Sequence, residues 1–278
     1  MSNHSKIASS IDDAYFTPEE SVKFCQSHLY VRDWVGFNKT ILEPCVGSGQ
    51  LVKKLPGVIF GADIHDYGWE GTVIQDYLTS PKQRVDLVFT NPPFGRMCSL
   101  AIKFFNKACQ DSDRVAFIAP ATFRKVSILD KLNLDFWNVL DQDLPDKNFQ
   151  LPTGETRWVN TVFQMWERRS KPRKRIKDIV KYQHYFERVK PAEASYAFRT
   201  QGASAGRVLD GLDYSPASTA FLRGSEDRIR AHDWTTIASF TAGIPAIGLT
   251  DVAYGLHLEE QGYDITPYLK HGTNHPKN

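Results

Sequence analysis

Apolar positions along the chain follow two alternating rhythms. Short β-type runs stand at Thr40 to Pro44, Val58 to Asp63, Thr72 to Gln75, Val85 to Thr90 and Arg114 to Ala119. Longer segments with a period near four lie around them; Ser99 to Cys109, for example, sets Leu100, Phe104 and Ala108 on one helical face. Thr17-Pro18-Glu19-Glu20 offers an N-cap, a first-turn proline and a capping-box glutamate, which predicts a helix from Pro18 to Tyr30. Strands alternating with helices give a parallel sheet covered on both faces, so the predicted fold class is α/β, a doubly wound sheet of Rossmann-like type. After a less regular stretch through Leu151, Arg157 to Glu167 alternates as a late, antiparallel strand would. The run Lys171-Pro172-Arg173-Lys174-Arg175 then marks a boundary. Beyond it stand short segments at Tyr196 to Thr200 and Thr219 to Arg223, and a helical pattern from Ser225 to Phe240. No internal repeat is present. The expected organisation is a flexible N-terminus (1–14), a catalytic domain (15–170), a basic linker with a small C-terminal recognition region (171–270) and a flexible tail (271–278).

Composition changes this picture in three places. With 278 residues, 41% hydrophobic and 24% charged, the chain can bury a full α/β core and still furnish a small second unit. Net charge is only +2, but its distribution is uneven: Arg168 to Lys190 holds ten Lys/Arg against Asp178 and Glu187, interleaved with Tyr182, Tyr185 and Phe186. Such a run suits a phosphate backbone, or else a solvated linker. No apolar stretch approaches the roughly 18 residues of a membrane helix, and the N-terminus lacks a signal-type apolar region; a soluble, cytoplasmic protein is expected. Cys25, Cys45, Cys98 and Cys109 form no C-x-x-C pair, and the eight histidines do not cluster, so neither a disulfide framework nor a metal site is expected.

The first chemical signal is Glu43-Pro44-Cys45-Val46-Gly47-Ser48-Gly49, directly after the first strand. Glycines at a strand-to-helix turn let the backbone approach a ligand, and nucleotide-like ligands bind beyond the carboxyl ends of parallel strands. Val52 stands where the dinucleotide fingerprint needs its third glycine, and no G-K-[ST] follows, which argues against NAD and ATP. An acidic residue ahead of the glycines suits a ligand with a positive amino group, such as the methionine part of S-adenosylmethionine. Asp63, closing the second strand, can accept both ribose hydroxyls, with Ile64 pressing on an adenine ring. Asp76 either accepts from the adenine amino group or caps a helix.

The most specific signal is Asn91-Pro92-Pro93-Phe94, at the end of the apolar strand Asp86 to Thr90. The prolines remove backbone donors and stiffen the turn, leaving the Asn91 side-chain oxygen and the Pro92 carbonyl as acceptors. Two acceptors on one amino group favour a tetrahedral nitrogen and disperse the positive charge that develops as it attacks. Phe94 would stack on a base, which must leave a duplex to reach such a pocket.

On these motifs, over roughly residues 15 to 167, the chain resembles the adenine amino-methyltransferases. Tyr15-Phe16-Thr17-Pro18 is similar to that family's F-T-P element, Glu43 to Gly49 to its cofactor loop, and Asn91 to Phe94 to its N-P-P-[YF] motif. The resemblance implies the fold of the S-adenosylmethionine methyltransferases, with S-adenosylhomocysteine as product. It implies that Tyr15, Thr17, Pro18, Glu43, Pro44, Gly47, Gly49, Asp63, Ile64, Asp76 and Asn91 line the cofactor. Asn91, Pro92, Pro93 and Phe94 would then hold the target base. Motif order resembles the subgroup whose recognition region is C-terminal, and the general form resembles phage and mobile-element proteins. Implied partners are nucleic acid, foremost double-stranded DNA, met by a monomer in a bacterial or phage-infected cell. Arg173, Lys174, Arg175, Lys177, Arg199 and Arg207 are the candidate contacts to it.

Other readings stay open at this point. The same motif serves methyltransferases of adenine in RNA, and a relative of it serves glutamine methylation in proteins; a non-catalytic nucleic-acid-binding subunit is a further alternative. Phe149 is either a stacking partner for the base or a core phenylalanine, and Ala119-Pro120-Ala121-Thr122-Phe123 either shapes the base pocket or merely turns the chain.

Overall fold

A computed structural model describes residues 15–241 and 243–272. The expectation for 1–14, and that for 273–278 of the tail, lie outside the described residues. The chain forms two compact units. One comprises residues up to 120 together with 135–171; the other comprises 121–134 together with residues from 172 onward. The expected uninterrupted span 15–170 therefore has an excursion in it: residues 121–134 cluster with the C-terminal part of the chain.

The first unit is built on a seven-stranded sheet. Its strands are β1 (Thr40–Glu43), β2 (Val58–Asp63), β3 (Val73–Ile74), β4 (Leu87–Thr90), β5 (Arg114–Pro120), β6 (Phe136–Asp143) and β9 (Thr161–Arg168), in the order β3-β2-β1-β4-β5-β9-β6. Pairing is parallel from β3 through β5, and β9 runs antiparallel between β5 and β6. Central strands need apolar residues on both faces, and β4, Leu-Val-Phe-Thr, is buried throughout. Alternate residues then sort to opposite faces. Ile41, Leu87, Phe89, Ala116, Ile118, Phe163 and Met165 form one core with Val22, Cys25 and Leu29 of α1 (Glu19–Val31). On the other side, Phe105 of α2 (Ser99–Asp111) meets Phe117 and Trp166 edge-on at 5.6 and 5.1 Å. The sheet is thus covered on both faces.

Several expectations shift. α1 begins at Glu19, because Pro18 is extended (ψ 144°) and its carbonyl receives the Val22 amide at 2.9 Å; Thr17 does not cap it. β6 falls in the stretch read as irregular. Its second half, Asp141-Gln142-Asp143, is polar, and the strand is largely half-exposed, so it lacks an apolar run. The single late strand is divided: β8 (Thr156–Trp158) pairs with β7 (Asn148–Gln150) as a hairpin before β9 begins. Between β1 and β2, turns replace a helix.

The second unit contains a four-stranded antiparallel sheet of β10 (Glu187–Arg188), β11 (Tyr196–Arg199), β12 (Val208–Leu209) and β13 (Thr219–Arg223), in the order β10-β13-β11-β12. With it stand α3 (Val126–Leu129), α4 (Ile176–Ile179), α5 (Glu226–Arg230), α6 (Thr235–Ser239), α7 (Leu249–Glu260) and α8 (Thr266–His271). The helix expected over Ser225 to Phe240 is broken into α5 and α6 by Trp234. Its indole is wholly buried, donates to the Ile229 carbonyl at 2.9 Å and fits against Gly255, where a β-carbon would come within 2.7 Å of the ring. Among the described residues no helix is long and apolar enough to cross a membrane, and no cluster of three His, Cys, Asp or Glu is placed to hold a metal.

Candidate active site

The sheet order reverses between β1 and β4: from β1 the chain moves outward through β2 and β3, then returns to place β4 on β1's other side. Loops leaving neighbouring strands at such a reversal diverge and open a crevice. The glycine loop leaves β1 there and Asn91 to Phe94 leaves β4 there, so motifs over forty residues apart in sequence border one cavity.

The glycine loop is held down by β2. Val46 donates to the Ala62 carbonyl at 2.9 Å, and Gly47, in the left-handed region (φ +53°), donates to Asp63 Oδ2 at 2.9 Å. Asp63 Oδ1 accepts from the His65 amide at 3.2 Å. Burial raises the Asp63 carboxyl above its ordinary range, while the Gly47 and His65 amides pull it back. Beneath the loop, Glu43 is fully buried: Oε1 accepts from the Cys45 amide at 3.0 Å, and Oε2 has no hydrogen-bond partner. Burial pushes this carboxyl up to about 8; Thr90 and the Cys45 amide oppose the rise and the Asp63 charge adds to it. Burial therefore favours the neutral, protonated form of Glu43.

Asn91 is aimed by the segment before α1. Its Nδ2 donates to the Tyr15 carbonyl at 3.0 Å and to Thr17 Oγ1 at 3.1 Å. A carbonyl can only accept, so the amide must present its nitrogen to Tyr15, which frees Oδ1 as an acceptor. Tyr15 and Phe16 are themselves tied to the hairpin: Phe16 and Gln150 exchange backbone hydrogen bonds at 2.8 and 3.2 Å, the Tyr15 ring meets Phe149 edge-on, and Arg157 donates to the Tyr15 hydroxyl at 2.9 Å. After the prolines, the Phe94 carbonyl receives the Leu100 and Ala101 amides, both at 3.2 Å, and so anchors the start of α2.

The cavity wall includes Tyr15, Thr17, Pro44, Gly47, Asp63, Ile64, Asn91, Pro92, Pro93 and Phe94 from the sequence reading. Pro18, Glu43, Gly49 and Asp76 are not on it. Asp76 closes a local turn, accepting from the Leu78 amide at 2.9 Å. Gly49 (φ +76°) faces Trp69: a β-carbon there would overlap the indole at Cε3, so the position is filled by a side chain of the β2–β3 loop. Phe149, 1% exposed, both belongs to the core and touches the cavity, so its two readings coincide.

Sequence reasoning missed Phe16, Gln50, His65, Tyr67, Tyr77 and Phe104 on the wall. Tyr77 and Phe104 form an apolar side. The Tyr77 hydroxyl is fixed by a 2.6 Å bond to Asp111, whose charge is balanced by Lys107 at 2.7 Å. Phe16 lies inside the F-T-P element, and Gln50, His65 and Tyr77 each follow a named residue directly; Tyr67 and Phe104 reach the wall only through tertiary contacts.

The candidate nucleic-acid residues divide. Lys174, Arg175, Lys177 and Arg207 are exposed. Arg199 is half-buried, donates to Ser218 Oγ at 2.7 Å and lies over the Tyr214 ring. Arg173 is only 3% exposed, with its guanidinium on the Asn133 carbonyl at 3.3 Å, so it is structural and cannot reach a phosphate backbone. It shares an inward face with Ile176 and Val180 at helical spacing.

No protein-family model matches the chain. No curated protein matches it. Solved structures similar to it include a proposed RNA methyltransferase from Pyrococcus horikoshii, 18% identical over 57% of this chain and 88% of that one, with a TM-score of 0.47. A modification subunit of a proposed type I restriction enzyme from Vibrio vulnificus is 14% identical over 92% of this chain and 63% of that one, with a TM-score of 0.44. Magnesium protoporphyrin IX methyltransferase from Synechocystis, with S-adenosylmethionine bound, is 13% identical over 54% and 79%, with a TM-score of 0.41. At these scores the likeness describes shape, and function must be read from the residues of the cavity.

Proposed function

We propose that the cavity binds S-adenosylmethionine and that the chain methylates the N6 amino nitrogen of an adenine extruded from double-stranded DNA. The observation that carries this reading is the locked amide of Asn91, whose Nδ2 is committed to Tyr15 and Thr17 while Oδ1 remains an acceptor at the cavity. An acceptor fixed in this way, with the Pro92 carbonyl beside it, binds an amino group by both protons and favours the pyramidal nitrogen a nucleophile needs. Phe94 supplies a face for the base.

The residues present fit the cofactor. Gly47 lines the cavity with its backbone in the left-handed region (φ +53°), where a β-carbon would press on the Phe16 ring, and Asp63 offers carboxylate oxygens to a ribose. Tyr77 and Phe104, their rings tilted 40° to each other at 5.5 Å, give an aromatic wall for an adenine. Glu43 is off the cavity wall and acts on it only from behind, by holding the Cys45 amide of the glycine loop through Oε1. When bound, S-adenosylmethionine supplies an activated methyl group on sulfur. The chain's own task is to hold the nitrogen in line and disperse its charge; the amino proton then passes to water, and no general base is required. Exposed Lys174, Arg175, Lys177 and Arg207 support a nucleic-acid substrate through phosphate contacts.

The test is transfer of labelled methyl from S-adenosylmethionine to unmethylated duplex DNA and to total RNA in parallel, with Asn91→Ala as control and nucleoside analysis of the product. N6-methyladenine from DNA, lost in the variant, is the expected result. Label confined to RNA would replace the substrate, and no label in either would overturn the reading.

A further inference from the structure

The β2–β3 loop, residues 64–72, supplies Ile64, His65 and Tyr67 to the cavity wall yet has no regular structure of its own. Its backbone offers little stiffness: Gly68 and Gly71 are both in the left-handed region with open space around them. Two side chains tie the loop to the rest of the unit, Tyr67 through its ring contact with Phe16 and, more deeply, Trp69. Its carbonyl is held locally by the Thr72 amide and hydroxyl, at 3.1 and 2.6 Å, while its indole reaches away from the loop. The ring lies on two glycines from two different elements. A β-carbon on Gly49, in the loop after β1, would overlap the ring. One on Gly61, in β2, would come within 3.0 Å of Cδ1 and Nε1 and 3.1 Å of Val46 Cγ2. Gly49 itself is absent from the cavity wall, whereas Gly47 is on it.

We infer that Trp69 is the positioning residue for the cavity wall: its indole is seated on Gly61, which is a glycine because the ring lies on it, and on Gly49, which its φ of +76° would make a glycine in any case. This rests on the reading of the cavity as a cofactor site. Held there, Trp69 fixes the chain two residues away at Tyr67. The Tyr67 ring meets His65 at 6.0 Å and Phe16 at 5.6 Å, and Phe16 in turn lies within van der Waals reach of Gly47. A displaced indole would therefore disturb the side of the cavity that carries Asp63 and Gly47; Asn91 stays in place because the backbone between its partners Tyr15 and Thr17 is pinned at Phe16 by the two hydrogen bonds with Gln150.

The test is a double-mutant cycle on the full chain, read by calorimetric binding of S-adenosylhomocysteine. Gly61→Ala and Trp69→Ala are each expected to weaken binding about tenfold, and the double variant is expected to fall within about threefold of Trp69→Ala alone, because once the ring is gone the β-carbon meets only Val46 Cγ2. Multiplying effects would mean that Gly61 is needed for a reason other than the indole, and would overturn the inference. Trp69→Phe keeps a ring on the seat and should bind within about threefold of the parent. In turnover, Trp69→Ala should raise KM for the cofactor while kcat at saturating cofactor and KM for the nucleic acid stay unchanged, a split that general destabilisation would not give. Circular dichroism checks that each variant is folded; should Trp69→Ala fail to fold, Trp69→Leu completes the same cycle. Failure of the parent protein itself to bind S-adenosylhomocysteine would instead sink the cofactor reading, so the two failures are distinguishable.

Discussion

Replacing Glu43 with glutamine should make the protein's stability less sensitive to pH, by an amount the structure allows to be worked out. In the folded chain the buried carboxyl is pushed up to about 8, from an ordinary 4.5. Its folded value lies above its unfolded one, so its contribution is fully present below about pH 4.5 and is lost as pH rises through about 8. Between those limits the unfolded chain has released a proton that the folded chain keeps, and the slope is about −1.4 kcal/mol per pH unit. From pH 5 to pH 8 the loss is about 4 kcal/mol, a large part of the roughly 5–15 kcal/mol of a typical domain. Glutamine is close in shape and does not titrate. Its amide leaves a fixed cost of about 1–3 kcal/mol for any unmet hydrogen bond, which does not change with pH. Urea unfolding at intervals from pH 5 to 8.5 should show the parent as the more stable at pH 5 and Glu43→Gln gaining steadily on it from there up to about pH 8, with a total relative change of about 4 kcal/mol. Two parallel curves would refute the assignment of a neutral acid at this position. The subtraction removes titrations common to both proteins, including that of Asp251, which burial also raises.

Two further outcomes follow from the same geometry. Thr17→Val removes one of the two acceptors on the Asn91 amide, so kcat should drop about 10- to 100-fold while S-adenosylhomocysteine affinity changes little; Thr17→Ser should restore turnover, and a parallel loss of cofactor affinity would contradict the aiming role. In DNA-binding titrations, Lys174→Gln, Arg175→Gln and Lys177→Gln together should lower the slope of log affinity against log salt by up to about 3. Arg173→Met should leave that slope alone and lower the melting temperature, since its side chain is buried on the Asn133 carbonyl.

How much of this was legible in the chain depended on how local the cause was. β1, β4 and β5 are apolar runs because both faces are buried, and such runs are visible without any partner; β2 is as apolar, although Val58 and Phe60 stay exposed. Asn91-Pro92-Pro93-Phe94 is equally local, since proline stiffness and an amide acceptor are properties of the residues themselves. α7 was invisible for the opposite reason. Val252, Ala253, Tyr254, Gly255, Leu256 and Leu258 are buried on every side, so the helix has no polar face to set a period. The misread roles were set by contacts across long sequence distances. Thr17 looks like a helix cap until Asn91, 74 residues on, takes its hydroxyl. Gly49 looks like a ligand-facing glycine until Trp69 is seen on it. Arg173 looks like part of a solvated basic run, and nothing in the run itself says that the Asn133 and Leu134 carbonyls claim it.

The division of the chain has a practical corollary for anyone who would trim or recombine it. The second unit is not a bead threaded on at residue 171. It includes 121–134, and those residues are bound into it: the Val126 amide donates to Asp251 at 2.9 Å, Asp130 accepts the Ile176 amide at 2.7 Å, and Arg124 lies over the Phe240 ring. Truncation at Lys171 would leave Val126, Ile128 and Leu129, all buried in the intact protein, bare to water on a fragment that no longer owns their partners. Grafting a C-terminal segment from another protein would meet the same difficulty from the other side. Any exchange of this unit must therefore swap two stretches of sequence at once, and a lineage that replaced one without the other would have lost a folded protein before it could test a new specificity.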